Sequence, residues 1–155
     1  MVTRERIENI VNEWIKSTEC FLVDVKTAPG RIAISIDKPA GVTIEECSSL
    51  NRFITETLDP EMVWETNELE VGSPGMDQPF KVYQQYLRRI GREIRVITLD
   101  GHVHKGRLEA ADENGFELLE SISRKVDKKK VVTETKHKLP YSKIKETKLI
   151  LSFKN

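Results

Sequence analysis

Reactive side chains are few in this sequence, and the serine of a glycine-rich turn is the first to consider. Ser73 follows Gly72 and precedes Pro74 and Gly75. In the G-x-S-x-G turn of hydrolases, the backbone N–H of the residue after the serine binds the oxyanion of the reaction. Pro74 has no N–H to donate. The sequence therefore predicts that Ser73 is not a nucleophile.

The three histidines are the candidate metal ligands. His102 and His104 are two apart on a predicted strand, so their side chains would share a face. Two such histidines bind a metal when a third ligand arrives from elsewhere. His137 lies on a distant predicted strand. The sequence therefore favours exposed histidines beside a hairpin turn, with phosphate or an acidic partner as their contact if they have a role.

The carboxylates and cysteines also favour structural roles. No two carboxylates are paired in an apolar setting of the kind that separates two pKa values for acid–base catalysis. Cys20 and Cys47 are far apart and neither belongs to a C-x-x-C pair, which predicts reduced, buried thiols. The sequence contains no P-loop and no G-x-G-x-x-G motif. We therefore predict no enzymatic activity, no bound metal and no cofactor.

Charge divides the chain into two halves, although the net charge is zero. Residues 1–78 contain 7 Lys/Arg and 15 Asp/Glu, a net charge of −8, whereas residues 79–155 contain 18 and 10, a net charge of +8. The change of sign coincides with two prolines and two glycines in residues 72–79. We therefore predict an acidic domain, 1–78, and a basic domain, 79–155, whose partner is phosphate-rich or acidic.

Basic side chains of the second half are the candidate contacts for that partner. Arginine binds phosphates and carboxylates through two parallel hydrogen bonds. Only 6% of the residues are aromatic, which disfavours stacking on single-stranded bases and favours contact with a nucleic-acid backbone or a protein surface. The alternative for each is a solvated side chain without a role. The candidates are Arg88, Arg89, Arg92, Arg95, Lys128, Lys129 and Lys130.

The first half has the pattern of a two-layer α-β-β-α-β domain. Apolar residues recur at helical spacing over 3–17, and they alternate over 21–25 and 32–36 around a turn at Pro29-Gly30. Thr43 and Glu46 form a capping-box sequence that opens a second helix, and Pro60 ends it. A third strand is predicted around 68–71. Two amphipathic helices would bury their apolar faces on one side of this sheet.

The second half has the pattern of a small barrel. A short helix is predicted over about 80–89, followed by strands that turn at Asp100-Gly101 and Asn114-Gly115. Residues 124–138 are lysine-rich and predict a long hairpin with a basic tip. A fourth strand is predicted over 131–139, a single helical turn over 140–143, and a fifth strand over 148–153. Five short strands with tight turns are typical of a small β-barrel.

Two further features concern location and an alternative site. No apolar run approaches the roughly 18 residues that span a bilayer, and the N-terminus has no export signal, which predicts a cytoplasmic protein without membrane contact. Residues 72–75 match the G-x-x-G pattern of KH modules, in which the loop lies between two helices and clamps a nucleic-acid backbone. Here the motif follows a predicted strand, so a KH-type role is an alternative with little support.

Residues 69–80 resemble the joint of one known family, the ribosome maturation factor RimP. In members of the family, this segment is a strand followed by the sequence Ser-Pro-Gly-Leu-Asp-Arg-Pro-Leu. Residues 21–25 and 37–47 are similar to its first strand and second helix start. Gln78 and Gly72 depart from the residues usual in the family. The joint residues that carry the resemblance are Ser73, Pro74, Gly75, Asp77 and Pro79, and the barrel residues are Gly91, Gly106, Leu108 and Ile144.

The resemblance implies an α+β fold, with an α/β N-terminal domain and a C-terminal SH3-like or Sm-like barrel. It implies a non-enzymatic protein that assists maturation of the small ribosomal subunit in the cytoplasm. The barrel would contact a small-subunit ribosomal protein near the decoding region, with ribosomal RNA close by, and the protein would be a monomer. An alternative is a stand-alone Sm-like regulator that binds RNA as a hexameric or heptameric ring.

Overall fold

The computed structural model describes residues 2–151, and the chain divides into two compact units between Gly75 and Met76. The first unit contains α1 (Arg4–Ile15), β1 (Phe21–Ala28), β2 (Arg31–Asp37), α2 (Ile44–Leu58) and β3 (Glu68–Gly72). The second contains α3 (Tyr83–Arg88), β4 (Glu93–Thr98), β5 (Val103–Ala111), β6 (Gly115–Val126), β7 (Lys129–Pro140) and β8 (Ile144–Leu149). Within residues 2–151, every helix is too short or too polar to cross a membrane.

The first unit has the predicted order of elements. Strands β1 and β2 form an antiparallel hairpin, and β3 pairs parallel to β2 after the crossover through α2. Both helices bury their apolar faces against the sheet. The fully buried side chains of this core include Ile7, Val11, Val25, Ile36, Leu50, Ile54 and Leu58.

A capping box fixes the start of α2, as the sequence predicts. The Glu46 N–H donates to Thr43 Oγ1 at 3.1 Å, and the Thr43 N–H donates to the Glu46 carboxylate at 2.9 Å. The Lys38 ammonium lies 2.9 Å from the same carboxylate. The hydrogen bond from the Thr43 N–H, followed by that from Lys38, lowers the pKa of Glu46 from 4.5 to about 2. The cap is therefore sensitive to acid.

We expect Glu46→Gln to remove part of the acid sensitivity of the first unit. The folded chain lowers the pKa of Glu46, so its carboxylate stabilises the fold above pH 4.5, and this contribution is lost as the pH falls towards about 2. The measurement is urea unfolding at about pH 6 and about pH 3, followed by tryptophan fluorescence, because Trp14 and Trp64 both lie in this unit. The wild type should lose more stability than the variant.

Glu45→Gln is the matched control for that experiment. The Glu45 side chain is exposed and takes part in none of the contacts around Thr43. Its acid sensitivity should equal that of the wild type. Equal acid sensitivity of Glu46→Gln and the wild type would contradict the assignment of this effect to the cap.

The second unit is a five-stranded antiparallel sheet in the order β7-β6-β5-β4-β8. Its core contains Tyr86, Ile94, Val96, Leu108, Phe116, Leu118 and Leu149. The five predicted strands are confirmed as one sheet. The predicted barrel is not, because the hydrogen bonding of the described residues leaves β7 and β8 as two edges and closes no barrel.

The last strand lies earlier in the chain than predicted. The sequence predicts a strand over 148–153, whereas β8 runs from Ile144 to Leu149 and pairs with β4. The start of β8 is polar in sequence, yet its Thr147 side chain is fully buried. The burial is possible because the Thr147 hydroxyl accepts a 2.6 Å hydrogen bond from the Tyr86 hydroxyl. Residues 152–155, which include the predicted end of the strand, lie outside the described residues. The single helical turn before β8 is confirmed, at Tyr141–Lys143.

Candidate nucleic-acid interface

The β6–β7 hairpin carries most of the lysines that the sequence singles out. The two strands pair from Gly115–Pro140 to Val126–Lys129, and Asp127 and Lys128 form the turn with φ of 51° and 68°. A two-residue turn with positive φ at both positions matches the twist of a hairpin. We call residues 124–131 the hairpin tip. The tip is exposed throughout and contains five basic residues and one acidic residue, a net charge of +4.

Charge repulsion within the hairpin tip is not neutralised. Lys125 pairs directly with Lys130, and like charges directly opposite one another destabilise a strand pair. Among residues 2–151, no acidic side chain forms an ion pair with a basic residue of the tip. Lys136 and Lys138, further along β7, lie near Glu117 instead. An anionic partner would relieve this repulsion.

A second basic surface crosses three neighbouring strands. Arg95 on β4 pairs with Lys105 on β5 and with Lys148 on β8. Directly paired residues share a face, so these side chains lie in a line, which we call the basic row. In the part of the chain that the structure describes, none of the three side chains forms an ion pair. The sequence predicts a role for Arg95 alone, because the other two join it only through strand pairing.

The basic row and part of the hairpin tip occupy one face of the sheet. Arg107 pairs with Leu119, and Lys105 of the basic row is two residues before Arg107, on the same face. Along β6 this face continues through alternate residues to Lys125, which is opposite Lys130. A shallow depression on this face also contains Glu93 and Glu134. The charge of the face is therefore mixed near the row and mainly basic at the tip.

The four candidate arginines lie in different elements and differ in exposure. Arg88 ends α3 and Arg89 caps it; both are half-buried and neither is free. Arg92 is exposed in the following turn, where its N–H donates to the Arg89 carbonyl at 2.9 Å. Arg95 belongs to the basic row. Arg92 and the hairpin tip are exposed, and Arg95 is half-buried but forms no ion pair with any described residue. These are therefore the candidates whose charge is available to a partner.

The predicted joint residues lie between β3 and α3 in irregular backbone. Ser73 lines a groove between α2 and the end of β3, together with Thr43 and Asn51. The segment 72–75 follows a strand, which disagrees with a KH-type loop between two helices. The remaining joint residues, Pro74, Gly75, Asp77 and Pro79, have no regular secondary structure.

One group of side chains contradicts the sequence-based view of the histidines. His137 is not distant: Glu120 Oε1 lies 3.0 Å from His137 Nε2 and 3.4 Å from His104 Nδ1. The two imidazole rings are 4.6 Å apart. Burial raises the pKa of Glu120, but the hydrogen bonds with both histidines outweigh it and the pKa is lowered. His102, by contrast, precedes β5 and pairs with Asp100 at 3.0 Å on the exposed turn.

The two cysteines are free thiols of the first unit. Cys20 is buried and Cys47 half-buried. Burial raises the pKa of both thiols, which disfavours the reactive thiolate. This agrees with the structural role predicted for them.

These features define a class: a small α+β protein of two units, in which an acidic helical unit precedes a basic antiparallel sheet. Comparison with known proteins narrows the class to a family. Residues 10–77 match the model of the RimP N-terminal domain. The ribosome maturation factor RimP of Porphyromonas gingivalis is 40% identical over 109 residues, which cover 70% of each chain. The chain belongs to the RimP family, which confirms the resemblance seen in the sequence.

Two further relatives extend the similarity to the second unit. The ribosome maturation factor RimP of Cytophaga hutchinsonii is 33% identical over 160 residues, which cover 96% of both chains. The RimP of Flavobacterium psychrophilum is 28% identical over 156 residues and covers 99% of this chain and all of its own. The similarity therefore includes the basic sheet as well as the acidic unit.

Proposed function

We propose that this protein is a non-enzymatic assembly factor that binds the immature small ribosomal subunit and assists its maturation. Relatives that match nearly the full length of the chain are named ribosome maturation factors. The observation on this chain that supports the proposal is the unneutralised positive charge of the basic row and the hairpin tip. Ribosomal RNA supplies the phosphates that such surfaces bind.

The second unit is the part that we assign to the ribosome. We propose that its sheet is an SH3-like or Sm-like barrel that stays open between β7 and β8. Its basic face would contact ribosomal RNA beside a ribosomal protein near the decoding region. The strand order supports this, since β8 returns beside β4 through a single 3-10 turn and one core lies under all five strands. The acidic unit would face a basic protein surface or keep RNA from pairing too early.

The direct test is sedimentation of the purified full-length protein with ribosomal particles through a density gradient. We expect it to migrate with immature small subunits and not with large subunits or whole ribosomes. Because the phosphate contacts release counterions, the affinity should fall steeply with salt, by about a thousandfold or more between low and physiological salt if six or more phosphates are contacted. An affinity that does not change with salt would contradict phosphate binding, and failure to bind any particle at low salt would contradict the assembly role.

An Sm-like RNA-binding regulator is the alternative, and the sheet edges bear on it. Ring assembly needs edge strands of neighbouring chains to pair, and β7 is an edge of twelve residues. That edge carries Lys129, Lys130, Lys136 and Lys138, and lysines on an edge strand oppose such pairing. We therefore propose a monomer. Gel filtration that gives a hexamer or heptamer would favour the regulator.

A further inference from the structure

Three side chains from three neighbouring strands converge at one end of the basic sheet. They are His104 on β5, Glu120 on β6 and His137 on β7. One possible ligand atom of each, a ring nitrogen or a carboxylate oxygen, lies within 4.8 Å of the other two. These three residues are separated along the chain by 16 and 17 positions, so only the pairing of β5, β6 and β7 brings them together.

The strands hold these side chains in a fixed, partly dry position. His104 pairs with Val96 and His137 pairs with Leu118, and both partners are fully buried core residues. The histidines therefore lie on the core face of the sheet, at the edge of its apolar interior. Their side chains are 23% and 25% exposed, and that of Glu120 is 20% exposed. Ligands on strands keep their geometry better than ligands on loops.

We propose that His104, Glu120 and His137 bind one divalent transition-metal ion, with Zn²⁺ as the ion that suits them best. Zinc binds imidazole nitrogen and carboxylate oxygen at about 2.0–2.2 Å, which places tetrahedral ligands roughly 3.3 Å apart. The separations of 3.0 and 3.4 Å around Glu120 Oε1 are close to this value. Two imidazoles disfavour Mg²⁺ and Ca²⁺, which prefer oxygen. Water would occupy the remaining position.

The surroundings of Glu120 support a ligand role. Its Oε2 accepts a 3.4 Å hydrogen bond from the backbone N–H of Lys105, which leaves Oε1 as the oxygen that both histidines face. A hydrogen bond to the second oxygen is the usual way in which a ligating carboxylate is oriented. Neutral imidazoles and an ionised carboxylate can all donate lone pairs to one metal ion.

The position of the site gives the ion a structural task. Beyond Glu120 and His137, the hairpin extends into residues 121–136, which are exposed on both strands. A bound ion would tie β5, β6 and β7 together at the base of this extension. It would therefore stiffen the arm that carries the hairpin tip.

The test is titration of the untagged, full-length, metal-free protein with Co²⁺ and Zn²⁺, followed by visible absorption and calorimetry. We expect one ion per chain and the visible absorption of four-coordinate Co²⁺. This absorption should disappear when Zn²⁺ displaces the Co²⁺ ion. His104→Ala, His137→Ala and Glu120→Gln should each weaken binding at least about tenfold. His102→Ala is the matched control, because His102 lies on the adjacent turn and contacts Asp100 instead. It should bind like the wild type.

A measurement on the wild type protects the test against variants that fail to fold. In NMR spectra, Zn²⁺ should shift the imidazole signals of His104 and His137 and leave those of His102 in place. Unchanged signals at both histidines, or ligand variants that bind as tightly as the wild type, would overturn the proposal. A Co²⁺–thiolate absorption band would also overturn it, since it would place the ion at Cys20 or Cys47.

Discussion

Gly106→Ala should destabilise the second unit by about 1–3 kcal/mol or more, the range for an atom inserted where there is no room. A Cβ at this position would lie 2.3 Å from the Leu119 carbonyl oxygen and 2.9 Å from its carbon. Both are backbone atoms of the neighbouring strand β6. Because a backbone cannot rotate out of the way as a side chain can, β5 and β6 would have to separate. Gly106 is therefore required for the close approach of these strands.

The matched control for Gly106→Ala is Gly72→Ala in the first unit. Gly72 also lies in a strand, as the last residue of β3, but a Cβ there would meet nothing within 4 Å. Because alanine loses less conformational entropy than glycine on folding, this variant should be unchanged or more stable by roughly 0.5–1 kcal/mol. The two substitutions add the same methyl group, and only Gly106→Ala should lower stability.

The chain provides its own probes for this comparison. Tyr83, Tyr86 and Tyr141 all lie in the second unit, whereas both tryptophans lie in the first. Urea unfolding of Gly106→Ala should show an earlier transition in the near-ultraviolet circular dichroism of the tyrosines, because the rings of Tyr86 and Tyr141 pack against each other in the core. A tyrosine transition at the wild-type urea concentration would show that β5 and β6 can absorb the extra atom, and would contradict the prediction.

The sequence predicts those parts of the fold that local patterns determine. The start of α2 follows from Thr43 and Glu46, which are three residues apart and satisfy each other's backbone groups. The turn at Asp127-Lys128 lacks glycine, yet the lysine-rich hairpin around it is still predicted, because it is long and its composition is biased. The last strand was misplaced because Thr147 is a polar residue in the core, and its partner Tyr86 is 61 residues away.

The candidate sites depend on strand order, and this is why the sequence shows only fragments of them. Arg95 is predicted, but Lys105 and Lys148 become its neighbours only when β4 lies between β5 and β8. His104 and His137 meet only because β6 lies between their strands and carries Glu120. A shift of one residue in register would move either histidine to the opposite face. Composition and spacing along the chain contain neither the order nor the register.

Neutralising the basic row should weaken binding to the small ribosomal subunit and, at the same time, leave the protein as stable or more stable. In Arg95→Gln/Lys148→Gln, two cations that face each other directly across β4 and β8 are replaced by neutral polar side chains. If both contact phosphates, the affinity should fall by about tenfold or more, and the slope of log K against log salt should decrease by about 2. Removal of the repulsion should raise stability by roughly 0.2–1 kcal/mol.

A lower affinity together with an unchanged or higher stability distinguishes a binding surface from a surface that is only solvated. Lys143→Gln/Lys145→Gln removes the same net charge from exposed residues around the start of β8, outside the basic row. If the row is the contact, this control should keep most of the affinity and most of the salt slope, because it leaves the phosphate contacts in place. Equal losses in the two double variants would show that net charge alone drives binding, and would contradict the assignment of the basic row as the contact.

The comparison is made by gradient sedimentation over a series of salt concentrations, with urea unfolding of each variant beside it. A loss of affinity in the row variant without a loss of stability cannot come from misfolding, so it would place the ribosome on the outer face of the basic sheet.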